Sequence, residues 1–154
     1  MRRIDKDANP QAKVLRGYSQ DFVAQDKCKE VALDQIAKGS DVVFQVAGGC
    51  GLGALDAAKE RKVWGIGVDA DQAFLGPHVL TSALKRVDVA VFKVIESVVN
   101  DEFEGGGVTS FGLDADGVGL GKTSPNAPAD AVNQTKAQVE KIVAGEVEIP
   151  EEVK

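Results

Sequence analysis

Apolar and polar positions follow two rhythms along this chain. Residues 42–47 (VVFQVA) form a short apolar run, a glycine-rich stretch follows, and residues 51–61 carry a helical pattern. A second apolar run covers residues 63–68 and ends on Asp69. Short apolar runs bounded by glycine read as buried strands, so this segment is a βαβ unit. Upstream, residues 13–17 (KVLRG) predict a short strand and residues 17–25 a loop. Residues 26–38 predict an amphipathic helix with Val31, Leu33, Ile36 and Ala37 inward, capped by Gly39. Downstream come a loop (70–78), a strand (79–83) and a strongly apolar helix (87–100) with Val87, Val91, Val94, Ile95 and Val98. A flexible break at 105–107 precedes a strand at 108–113 and a tight hairpin at 114–121 around Ala115-Asp116-Gly117. Residues 129–144 predict a last helix before an acidic tail, and residues 1–12 a lead-in or linker. This alternation predicts one α/β lobe over residues 13–154, a mostly parallel sheet covered on both faces in a three-layer, Rossmann-like α/β/α sandwich.

Composition narrows the function more than the fold. A chain of 154 residues buries roughly 70% of its unfolded surface, enough for a core without staples. The net charge of −6, with no basic block, argues against nucleic acid or an anionic membrane as partner. No apolar run approaches the roughly 20 residues of a membrane-spanning helix. The N-terminal charges have no apolar segment behind them, so the chain as given is expected in the cytosol, unless it is part of an exported protein. Cys28 and Cys50 are the only cysteines. They are too few for a metal site. Two readings stay open: a pair of free, partly buried thiols, or a disulfide joining the first turn of a helix to the glycine loop, which implies an oxidising compartment.

The candidate chemistry clusters where the strands end, because open α/β sheets bind ligands at the carboxyl ends of their strands. Gly49-x-Gly51-x-x-Ala54, with Asp69 closing the next strand, matches a dinucleotide fingerprint. However, a strand and a helix precede it, and the chain is short for a second nucleotide half. A bare structural turn, or a loop touching another polar ligand, are the other readings. Residues 117–123 resemble a P-loop, but Asp116 stands where glycine is required and Pro125 blocks the helix. Asp69 and Asp71, two apart in extended chain, would point together. With no further ligands nearby they suit sugar hydroxyls better than a metal. Lys85 reads as a surface charge or a donor into the cleft. Phe22 reads as a base-stacking ring or one tucked under its own loop. His78 is expected at the surface. No catalytic constellation is legible.

These residues resemble those of the basic-membrane-protein family of solute-binding proteins, purine-nucleoside receptors of ABC importers. The resemblance rests on Gly17-Tyr18-Ser19 with Phe22, on residues 27–30 (KCKE) and 41–53 (DVVFQVAGGCGLG), and on 57–60 (AAKE). It continues through residues 65–72 (GIGVDADQ), 80–82 (LTS), 85–91 (KRVDVAV) and 117–120 (GVGL). It implies one lobe of a type I periplasmic-binding-protein fold, the second half of such a receptor. It further implies Phe22 stacking on the base, Gly48 and Gly49 at its edge, Asp69 on ribose hydroxyls and Lys85 donating from near the hinge. Asp71 is a weaker candidate. A small-molecule ligand, an ABC permease and the missing first lobe are the implied partners, and members are cell-surface lipoproteins. No enzyme activity, cofactor or metal follows. Residues 9–12 (NPQA) resemble the stretch just before the second lobe, so the chain is expected to be a half-receptor, excised or naturally short. In the family the helix at 87–100 packs with the first lobe. Here its apolar face is expected to fold back on its own sheet or to swap with a second copy in a homodimer. Nucleoside binding by this half, a self-associating scaffold without ligand, and a dinucleotide-binding protein are the three functional readings.

Overall fold

The computed structural model describes residues 11–147 and residue 149. Nearly all of the lead-in over 1–12, and the acidic tail beyond 149, lie outside the described residues. Four strands form one sheet in the order β1-β2-β3-β4: β1 (Val42–Phe44), β2 (Trp64–Asp69), β3 (Val79–Lys85) and β4 (Val118–Leu120). The β1–β2 and β2–β3 pairs are parallel, and β4 runs antiparallel along β3. Among the described residues four α-helices accompany them: α1 (Gln25–Ala37), α2 (Gly51–Arg61), α3 (Val87–Val99) and α4 (Ala129–Val143).

The core is built from small side chains. Cys28 and Ala32 of α1 meet Cys50, Ala54, Ala57 and Ala58 of α2 and its approach, with Val43 of β1 beneath. Small residues let the two helices come close. A side chain on Gly53 would run into the backbone carbonyl of Gln25. Leu55, fully buried, fills the space over Gly65 of β2, where a Cβ would lie 2.7 Å from its Cδ2. Ala37, expected inward, is exposed, and Ala32 takes the buried position because it stacks one turn above Cys28. Cys28 and Cys50 are joined by a disulfide, with their Cα atoms 5.6 Å apart.

Five further sequence expectations differ from the structure. Residues 13–17 form no strand, because they do not ladder with β1; Gly17 instead passes over Val31 and Gln35 of α1. β1 stops at Phe44 rather than Ala47, since the Ala47 N–H turns away to the Gln45 side chain at 3.3 Å. Residues 108–113 form no strand either, and Val108 is almost fully exposed. The expected hairpin is a turn closed by the Gly117 N–H donating to the Gly112 carbonyl at 2.9 Å, and only its outgoing arm joins the sheet, as β4. Lastly, α3 does not fold back on its own sheet: none of its residues is buried, and Val91, Phe92, Ile95 and Val98 all lie exposed. α4 borders β3 and β4 across a cavity of about 430 Å³ lined by Leu80, Leu120, Val132 and Val139.

The disulfide closes a loop of 22 residues over the tightest part of the core. Cys28→Ser with Cys50→Ser should lower unfolding stability by about 3 kcal/mol in a urea melt. An unchanged midpoint would mean that packing alone holds α1 against α2.

Candidate functional site

The carboxyl ends of β1 and β2, the end of β3 and the loop before α1 form one edge of the lobe. Asp21 orders that loop. Its carboxylate accepts from the Val23 and Ala24 N–H groups at 2.8 and 2.9 Å and pairs with Lys27 at 2.9 Å. Those backbone N–H groups, more than the lysine, hold its pKa well below the usual carboxylate range. Phe22, 77% exposed, stands out of this turn. The Phe22 carbonyl accepts from the Cys50 N–H at 2.9 Å, which ties the aromatic loop to the glycine loop. A Cβ on Gly48 would lie 3.3 Å from that carbonyl and 3.6 Å from the ring, and Gly48 also takes a φ of +59°. Gly48, Gly49 and Phe22 are therefore neighbours.

Asp69 ends β2 in a left-handed conformation, φ +67°, uncommon for a residue other than glycine. The bend sends its carboxylate toward the neighbouring strand, where the Lys85 ammonium pairs with it at 2.7 Å. Parallel pairing of β2 with β3, Asp69 opposite Leu84, places the two ends side by side. The same bend takes Asp69 out of the extended chain in which it was expected to point with Asp71. Asp71 turns back to accept from the Ala73 N–H at 3.2 Å, and a Cβ on Gly121 would lie 2.7 Å from its Oδ1. Asp71 thus serves its own turn. The structure sets Phe22 beside Gly48 and Gly49, pairs Asp69 with Lys85 at the ends of β2 and β3, and gives Asp71 a partner in its own turn.

The remaining glycines of the fingerprint have protein neighbours. Gly51 leaves room for the Gln45 side-chain amide, and Gly53 for the backbone of α1. His78, expected at the surface, is half-buried before β3; burial, and then Lys59, lower its pKa. Arg86 pairs with Asp88 at 3.0 Å and Asp116 at 3.3 Å, away from Asp69. Among the described residues no group of His, Cys, Asp and Glu is arranged to hold a metal ion, and no helix is long and apolar enough to cross a membrane.

Sequence reasoning overlooked two features. Phe74, in the turn after β2, is 79% exposed, a bare ring like those of Phe22 and Tyr18. Beneath the edge lies a polar layer of Gln45, Gln72 and Ser82, with Gln45 4% and Ser82 0% exposed. The available signal was a glutamine set inside an apolar run.

Residues 6–153 match the family described as ABC transporter substrate-binding protein, PnrA-like. The chain is 36% identical to the CD4+ T-cell-stimulating antigen of Listeria monocytogenes, over 95% of this chain and 46% of that protein. It is 32% identical to the ABC transporter nucleoside-binding protein BmpA of Lactococcus lactis, over 94% of this chain and 46% of that one. The chain thus spans about half the length of the curated relatives it matches. Among solved structures, a solute-binding protein of an ABC transporter system from Aeropyrum pernix superposes with a TM-score of 0.78 at 24% identity, over 96% of this chain and 51% of the other. A transcriptional activator of the comK gene from Bacillus halodurans superposes with a TM-score of 0.83 at 21% identity, over 92% and 50%. These likenesses give the fold of one periplasmic-binding-protein lobe, and the match over residues 6–153 gives the family: the chain belongs to the PnrA-like ABC transporter substrate-binding proteins.

Proposed function

We propose that this lobe is one wall of a cleft that takes a purine nucleoside, without chemical change, for delivery to an ABC permease. The observation that carries the proposal is the set of groups at a single sheet edge. A bare aromatic ring, glycine backbone beside it and a carboxylate–ammonium pair suit a flat base joined to a vicinal diol. Phe22 stacks on the base, with Gly48 and Gly49 at its edge. Asp69 accepts from the ribose hydroxyls, and Lys85, paired with Asp69, donates to a ligand oxygen. Asp71 has only a turn-stabilising role in this scheme. The Lactococcus relative, named for nucleoside binding, supports the ligand class. The glycines whose space is taken by Gln45 and by α1 weigh against a dinucleotide. No catalytic residue or cofactor is assigned. An extracytoplasmic setting is part of the proposal and fits the disulfide. The other wall would come from the remaining half of a two-lobed receptor, so affinity for this lobe alone should be far below that of a closed clamshell.

Calorimetric titration with inosine, guanosine and adenosine tests the site. Phe22→Ala should weaken binding by about tenfold, the lost stacking being worth roughly 1–3 kcal/mol. Asp69→Ala should cost about the same or more, because hydrogen bonds to a charged group are worth about 1.5–3 kcal/mol. Binding that ignores both substitutions would sink the proposal.

A second reading rests on α3. Its exposed apolar residues, Val91, Phe92, Ile95 and Val98, form a surface that a self-associating scaffold would bury against a second copy. On that reading sedimentation gives a stable dimer, unaffected by nucleosides and dispersed by Ile95→Glu. A monomer in the wild-type chain counts against it.

A further inference from the structure

We infer that the amide pair of buried Gln45 and half-buried Gln72, with buried Ser82, is a positioning device that holds the glycine loop, Asp69 and Lys85 in one arrangement. Its consequence for the ligand rests on the nucleoside reading above; its existence as a device does not.

The hydrogen bonds connect three strand ends in series. The Ala47 N–H, at the entry to the glycine loop, donates to Gln45 Oε1 at 3.3 Å. Gln45 Nε2 donates to Gln72 Oε1 at 3.0 Å. The same Gln72 oxygen accepts from the N–H of Val68, the residue before Asp69, at 3.2 Å. The Gln72 N–H then donates to Ser82 Oγ at 3.0 Å, three residues before Lys85 on β3. One acceptor oxygen thus serves the glycine-loop side and the Asp69 side together. Such buried groups tolerate little movement, because a shift that breaks one bond leaves a desolvated partner unsatisfied.

Two glycines are vacated for this network. A Cβ on Gly51 would collide with the Gln45 amide, and a Cβ on Gly67 would lie 2.5 Å from Gln72 Oε1 and 2.6 Å from Ser82 Oγ. Neither glycine has a positive φ, so backbone conformation does not require it. Their absent side chains fit the amides. None of the three polar residues is among the groups assigned to touch the ligand, so they act through the residues they hold.

The test uses Gln45→Leu and Gln72→Met, which cut the chain from either end, and Gln72→Glu, which keeps the accepting oxygens. Native-state hydrogen exchange is followed by NMR at Ala47 and Val68, with α1 amides as reference, and nucleoside affinity by calorimetry on folded protein. Either cut should speed exchange at both amides relative to α1. Either should also weaken nucleoside binding about tenfold, the share of one hydrogen bond to a charged or buried group. In an Asp69→Ala background the cuts should add little, since the group being positioned is gone. Gln72→Glu should stay close to wild type. Unchanged exchange at Ala47 and Val68 in both cut variants would overturn the network itself. Faster exchange and a lower melting point with unchanged affinity would reduce it to a purely structural role and overturn positioning. A wild-type chain that binds no nucleoside would remove the ligand reading, and the ligand-positioning role with it.

Discussion

The close contact between α1 and α2 governs the rest of this lobe. It depends on having almost nothing between the helices: Gly53 under the Gln25 carbonyl, and alanines at 32, 54, 57 and 58. Small side chains bury little area each, so the contact gains from the disulfide that joins Cys28 to Cys50 across it. Cys50 is also where the site begins, since its N–H holds the Phe22 carbonyl. Helix packing therefore sets where the aromatic ring stands relative to the glycine loop.

The lobe is unevenly built around that contact. α1 and α2 supply the helical part of the core, whereas α3 and α4 contribute no buried residue. The well-packed side carries Phe22, Gly48 and Gly49, and the strand ends beside it carry Asp69 and Lys85. Rigid elements under a binding surface limit the entropy lost when a ligand docks. The loosely covered side, with the bare face of α3 and the cavity beneath α4, is where local opening should be easiest.

Much of the fold was legible because hydrophobic rhythm and glycine punctuation agree. The pattern over 51–61 coincides with α2, and the acid ending the second run closes β2. The expected strands at 13–17 and 108–113 failed for a shared reason. Apolar alternation reports suitability for a sheet but not whether an edge is there to pair with. At the strand ends, the place of Asp69 was legible from the apolar run that it closes, whereas Lys85 read as a surface charge or a donor into the cleft. The different partners of Asp69 and Asp71 were not legible, since Asp69 leaves the extended chain by a left-handed backbone that carries no sequence mark. Gly51 was misleading for a related reason. Its missing side chain makes way for Gln45, a residue six positions earlier, rather than for a ligand.

The central claim is that ring, glycine loop and ion pair act as one half-site. Amide chemical-shift mapping of the ¹⁵N-labelled chain during addition of guanosine tests it most directly. The account predicts saturable shifts concentrated at Phe22, Gly48, Gly49, Asp69 and Lys85, with the residues lining the cavity beneath α4 left unmoved. Shifts centred on that cavity, or no saturable shifts at the strand ends, would contradict it.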